Sequence, residues 1–297
     1  MARVFVHLPL NISRAIEEML KEYGREMEKK QGIHIEIICE NQCQTDNGYL
    51  KNNSEDGNIP DMVISGANYF AKYSESYLNK NFRSLTGRFP LRQELADRGF
   101  TDKKGYFNTF TVMPFAVFYN PSLFEEKDLP SVWEDLLDNR WSGKIAMPDR
   151  HHMAPKMLFA LMKAYYPEKF DNLQKNFVCQ GAPLNVVNAV DEGEYPIGIT
   201  NISFARISHN KNIRMLWLND GFFCMPLTMT WSKKADERLL KIGDLLLSRQ
   251  VQEYLALQTF VPAAAGTAIP KLLTDHNFSL RWEGWEYFLK AIKSSEG

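Results

Sequence analysis

The residues best suited to chemistry fall in short polar stretches, most of them directly after an apolar run. Arg150-His151-His152 follows Ile145-Ala146-Met147. A guanidinium can fork onto two oxygens of a carboxylate or phosphate, and an imidazole can donate a hydrogen bond or ligate a metal. The plainer reading is a solvated loop in which Asp149 caps a helix. Adjacent histidines diverge on most backbones, so a shared metal is not expected. Ser65-Gly66-Ala67-Asn68 follows Met62-Val63-Ile64. A hydroxyl beside glycine lets a ligand approach the backbone closely, or Ser65 simply caps the next helix. Thr200, Asn201 and Ser203 follow Ile197-Gly198-Ile199 and offer hydroxyl and amide groups, and Asn11 follows the first apolar run. Phe222-Phe223 is either an apolar wall or plain core, with Cys224 beside it.

None of these stretches carries an established catalytic signature. There is no Gly-x-Ser-x-Gly, no P-loop, no Gly-x-Gly-x-x-Gly and no His-Glu-x-x-His. Cys224 as a nucleophile with His151 or His152 is the one conceivable pairing, and nothing in the sequence links them. Cys39, Cys43, Cys179 and Cys224 are the four cysteines. Cys39 and Cys43 lie four apart with no second pair and no histidine at zinc spacing; they are incidental thiols, a local disulfide, or a metal or redox pair. No metal site and no cofactor is expected.

Composition narrows the classes further. The 297 residues are 44% hydrophobic and 24% charged, with 35 Lys plus Arg against 36 Asp plus Glu. A chain of this length usually divides into two domains. The near-neutral balance leaves no basic excess for a phosphate backbone, which argues against nucleic-acid binding. No apolar run approaches the roughly 20 residues of a membrane span. Met1 to Leu10 lacks a signal-type core and cleavage site. Either the protein is cytoplasmic, or a leader has been removed and it works in the periplasm or outside the cell, tethered to the membrane.

The stretches must be positioned by alternating strands and helices. Val4 to Leu8 and Ile33 to Cys39 alternate as strands. Between them a helix is expected from Asn11 or Ser13, with an acidic pair, Glu17-Glu18, near its start. Residues 41 to 58 read as loop or weak helix. Ser131 with Glu134 forms a candidate capping box before Val132, Trp133, Leu136 and Leu137. Helical periodicity recurs over 154–165, 182–192, 235–257 and 282–292. The rhythm is that of an α/β fold.

Several segments resemble the iron(III)-type members of the type II periplasmic solute-binding proteins, the receptors of ABC importers. Leu129 to Arg150 (LPSVWEDLLDNRWSGKIAMPDR) is the most specific match; Tyr119-Asn120-Pro121, the stretch 191–199, and Leu245 to Tyr254 followed by Pro262-Ala263 add to it. The resemblance covers roughly the last 190 residues in order, and the N-terminal third matches only in rhythm. It implies two α/β lobes joined by two hinge-crossing strands: lobe 1 from residues 1–112 and 221–297, lobe 2 from 113–220. Pro114 and Gly221 would mark the hinges. A ligand cleft would lie between the lobes, beyond the carboxyl ends of the strands, lined by Asn11, Ser65, Gly66, Asn68, Arg150, His151, His152, Thr200, Asn201, Ser203, Phe222 and Cys224.

One departure from that family bears on the ligand. Its iron-binding members carry adjacent tyrosines at the place where Ser203 and Phe204 stand here, and neither residue supplies the anionic oxygen that ferric iron prefers. The expected ligand is therefore a small anionic or polar organic solute. The expected partner is an ABC transporter permease, the expected state a monomer, and the expected function is not enzymatic. The alternatives are a cytoplasmic ligand-sensing module and an enzyme on the same fold.

Overall fold

The computed structural model describes residues 1–40, 59–71, 73–150, 152–276 and 278–295. Eleven strands are present among the described residues: β1 Ala2–His7, β2 Ile35–Cys39, β3 Met62–Gly66, β4 Asn108–Tyr119, β5 Ile145–Met147, β6 Phe177–Cys179, β7 Ile197–Asn201, β8 Arg214–Leu216, β9 Phe222–Trp231, β10 Val261–Pro262 and β11 Leu280–Arg281. The longer described helices are α1 Leu10–Gln31, α2 Met153–Tyr165, α3 Pro183–Asp191, α4 Arg249–Leu257 and α5 Gly284–Ser295. The stretch 41–58, expected as loop or weak helix, lies outside the described residues.

The chain divides into two compact units, one of residues 1–112, 226–269 and 283–286, the other of 113–225, 270–282 and 287–297. In the first unit β1 lies between β2 and β3, parallel to both, and β3 pairs antiparallel with β9 from Gly66↔Leu227 to Met62↔Trp231. β10 pairs antiparallel with the start of β4. In the second unit β5 is central, parallel to β6 and β7, while β7 and β8 run antiparallel to the later residues of β4. All twelve residues of β4 and all ten of β9 are buried. Strands buried on both faces read as continuous apolar runs rather than alternations.

Both long strands change unit at a Met-Pro dipeptide, Met113-Pro114 in β4 and Met225-Pro226 in β9. Proline offers no N–H to a ladder, so each strand loses a donor beside the point where it passes from one sheet to the other. The second crossing falls at Pro226, five residues beyond the boundary expected at Gly221. Gly221 instead closes the turn before β9 with φ +81, where an added Cβ would lie 2.7 Å from Ser279 Oγ.

The C-terminal residues 270–282 and 287–297 group with the second unit, not with the first as the resemblance implies. The cause is local. β11 pairs in parallel with Phe222 and Phe223 of β9, and the Arg281 guanidinium engages the Asp220 carboxylate and donates to the Tyr166 hydroxyl at 2.6 Å. Tyr287 packs edge-on against Tyr165, ring centroids 4.9 Å apart.

Helix starts also differ from expectation. α1 begins after Pro9, with no side-chain cap from Asn11 or Ser13 and no acid in its first turn. Ser131 and Glu134 form no capping box. Asp135 Oδ2 accepts from Ser131 N at 2.8 Å, Ser131 Oγ at 2.9 Å and Val132 N at 3.2 Å. The segment Trp133–Leu137 is a 3-10 turn rather than an α-helix, so the carboxylate one residue later meets these donors.

Candidate functional site

Open α/β sheets expose free backbone groups and helix starts beyond the carboxyl ends of their parallel strands. Each unit has one such edge. In the first, β1 ends at His7 and β3 at Gly66, with His7 and Ser65 in register. α1 starts three residues after His7, and the short helix Asn68–Ala71 follows β3. Asn11, Ser65, Gly66 and Asn68 therefore share this edge. Ser65 and Gly66 lie inside the strand rather than on a turn, so Ser65 caps no helix. The Ser65 hydroxyl, only 2% exposed with its residue, donates to the Gly66 carbonyl at 3.2 Å, and the Ser65 carbonyl accepts from Thr228 Oγ1 at 3.4 Å.

Two further residues at this edge were not singled out from the sequence. His7 is buried, its ring edge-on to Phe5 at 6.3 Å and to Tyr69 at 6.0 Å between centroids. Tyr69 leads by ring contacts to Phe70, and Phe70 to Tyr73. The available signal was a histidine closing an otherwise apolar strand, Val4-Phe5-Val6-His7, where a buried polar ring calls for a partner.

The second unit has the matching edge at the ends of β5, β6 and β7. Asp149 stitches the loop after β5 to the turn after β6: its N–H donates to Gly181 O at 2.9 Å and its Oδ1 accepts from Gly181 N at 2.9 Å. Asp149 thus braces a turn, and the N-cap position of α2 falls to His152. His152, 8% exposed, sits at the N-cap of α2 with extended backbone, and its N–H donates to Asp149 O at 3.0 Å. One strand over, Thr200 and Asn201 are buried at the end of β7. Asn201 Oδ1 accepts from Phe204 N at 3.3 Å and caps the turn Ile202–Ala205, which carries Ser203. His152, Thr200, Asn201 and Ser203 are therefore brought to one edge of adjacent parallel strands.

Three expected residues are employed elsewhere. Arg150 leans back over its own unit: Nη2 donates to Gln174 O at 3.3 Å and the guanidinium lies 4.3 Å from the centre of the Phe159 ring. It places positive charge at the C-terminal end of the helix Phe170–Asn176, where unpaired carbonyls favour a cation. Phe222 is core, stacked on Phe278 at 5.3 Å and edge-on to Trp217 at 5.6 Å. Cys224 is fully buried with Sγ 3.9 Å from Arg281 O, so it is no nucleophile for His152. β11 covers both positions, and a pairing so remote in sequence leaves no local signature. His151 lies outside the described residues.

Among the described residues no three His, Cys, Asp or Glu side chains form a group that could hold a metal, and no helix is long and apolar enough to cross a membrane. Cys39, Cys179 and Cys224 are free thiols, while Cys43 lies outside the described residues.

Residues 57–291 match the family model described as bacterial extracellular solute-binding protein. The chain belongs to that family, a family of substrate-binding proteins rather than enzymes. Its fold is that of the two-lobed periplasmic binding proteins. A ferric binding protein from Campylobacter jejuni superposes with a TM-score of 0.75 at 14% identity, covering 100% of this chain and 97% of that one. A Clostridium perfringens ABC transporter structure gives 0.68 at 17% identity, covering 99% and 96%. A Trichodesmium protein solved with iron and citrate gives 0.66 at 18% identity, covering 99% and 95%. Among curated proteins no sequence relative matches. The family works outside the cytoplasmic membrane or in the periplasm, takes a small-molecule ligand and delivers it to a transporter.

Proposed function

We propose that this protein is the solute-binding receptor of an ABC-type importer and that its ligand is a small anionic or polar organic solute, not a ferric ion held by paired tyrosinates. The observation that supports this reading is the turn after β7. Asn201 caps it and Ser203-Phe204 occupy it, so it presents an amide, a hydroxyl and backbone N–H groups and carries no phenol. Neutral donors of this kind suit carboxylate or hydroxyl oxygens, whereas a hard trivalent ion needs anionic ligands.

Each strand edge is a candidate for solute contacts in this reading: Asn11, Ser65, Gly66 and Asn68 with His7 in the first unit, and His152, Thr200, Asn201 and Ser203 in the second. The receptor acts as a monomer at the outer face of the membrane, with a permease as its partner and no nucleic acid. The test is a thermal-shift screen over organic anions, amino acids, phosphonates and vitamins. A solute at 100 times its Kd adds about 2.7 kcal/mol of stability. Asn201→Ala should weaken the solute found at least tenfold, about 1.4 kcal/mol, by loosening the turn. Arg150→Ala should leave its affinity within a factor of about two, because that guanidinium is already engaged. An Asn201→Ala variant that binds as tightly as the parent protein removes this turn from the site.

A further inference from the structure

A second concave surface lies in the second unit, well away from the strand ends. It is a groove of about 350 Å³ between the C-terminal half of α2 and the later turns of α5. Ala160, Ala164 and Ala291 line it together with the rings of Phe170 and Tyr287. Ala160 and Ala291 are buried to 3% exposure. Three alanines along two facing helices leave a furrow that larger side chains would fill. Its volume falls at the lower end of the roughly 300–1,000 Å³ typical of small-ligand clefts.

The rim is cationic. Lys163 and Lys290 both line the groove, and no carboxylate does. Neither ammonium has an ion pair among the described residues, whereas Lys21, Lys30, Lys104, Lys127 and Lys169 each take one. The Lys163 ammonium instead rests 4.9 Å from the centre of the Phe170 ring. An apolar furrow edged by two uncompensated positive charges is complementary to one kind of molecule: a single apolar chain ending in an anion. A slender single chain suits the groove best, because three of its lining residues are alanines.

We infer that this groove binds the monomeric form of a medium-chain carboxylate, with the chain over the alanines and the carboxylate between Lys163 and Lys290. The site is separate from the solute-binding edge and does not depend on its ligand.

Isothermal titration with octanoate below its micellar range tests the assignment, with octanol, hexanoate and phosphatidylglycerol vesicles as companion probes. The expected result is saturable octanoate binding that is about fourfold weaker for each methylene removed. Octanol should bind at least tenfold more weakly. K163A and K290A should each weaken octanoate by roughly three- to tenfold, and A164W, which fills the furrow, should abolish binding. Equal affinity for octanol and octanoate, unchanged binding in A164W, or binding to vesicles without binding to monomeric octanoate would each overturn it. K163A and K290A leave the alanines in place and so remain informative if A164W does not fold.

Discussion

Asp191 closes α3 and is only 1% exposed, yet its carboxyl is held below the usual carboxylate range. Burial alone would raise it. The Ser208 hydroxyl at 2.6 Å and the backbone N–H groups of Asn210 and Asn212, at 2.6 and 2.8 Å, outweigh that and favour the charged form. The folded-state value thus lies below that of the unfolded chain, near pH 4. The stabilisation is present above that pH and is lost as pH falls through the folded value. Asp191→Asn should cost about 1–3 kcal/mol at pH 7 and progressively less as pH falls below that of the unfolded carboxyl, read by urea denaturation at pH 7 and at the lowest pH at which the protein stays folded. An equal cost at both would assign the loss to packing. The thiols divide by the same physics. Cys39 is pushed up to about 12 by burial and then by the neighbouring Glu17 carboxylate, while Cys179 is exposed and Cys224 is sealed in the core. Iodoacetamide at pH 8 should label Cys179 well before Cys39, and Cys224 only on unfolding, as peptide mass spectrometry would show. Rapid native labelling of Cys224 would contradict its placement.

At the scale of elements, α4 shows how one side chain fixes a distant turn. Gln252 is fully buried; its Nε2 donates to Phe110 O at 2.9 Å and Leu246 O at 2.7 Å, and its Oε1 accepts from Ala263 N at 2.8 Å and Ala264 N at 3.1 Å. Four bonds from one amide, three of them buried, join β4, the end of the preceding helix and the turn after β10. Gln252→Ala leaves two carbonyls and two N–H groups without partners and should lower stability by about 2–4 kcal/mol in chemical denaturation; a loss below about 0.5 kcal/mol would show that water replaces the amide. Such long-range bonds are what local pattern does not contain. Val4 to Leu8 and Ile33 to Cys39 were legible as strands because one face of each is apolar, and the helical stretches were legible from their spacing. The starts of elements were less so. Pro9 begins α1 ahead of the good capping residues, and a 3-10 turn moves the bracing carboxylate from Glu134 to Asp135. The strand ends that assemble the candidate site could be named from the sequence, but the direction of Arg150 and the burial of Phe222 and Cys224 could not. These depend on a helix end at Gln174 and on β11, some 57 residues from Cys224.

At the scale of the whole molecule, the family and the two-unit fold were legible because the Trp-Ser-Gly-Lys-Ile block and its neighbours occur in order. The membership of the C-terminal residues was not, because it is decided by Arg281 meeting Asp220 and Tyr287 meeting Tyr165. The central proposal is that this receptor, whose fold is shared with ferric-binding proteins, holds its solute with an Asn201-capped polar turn rather than with paired phenolates. Titration with ferric ion as a soluble chelate, followed by visible absorbance and thermal melting on one sample, tests it most directly. The account predicts no tyrosinate-to-iron charge-transfer band and no rise in Tm with iron, together with a rise of roughly 5 °C from an organic solute at 100 times its Kd. A saturable visible band with one iron per chain, accompanied by a comparable rise in Tm, would contradict it.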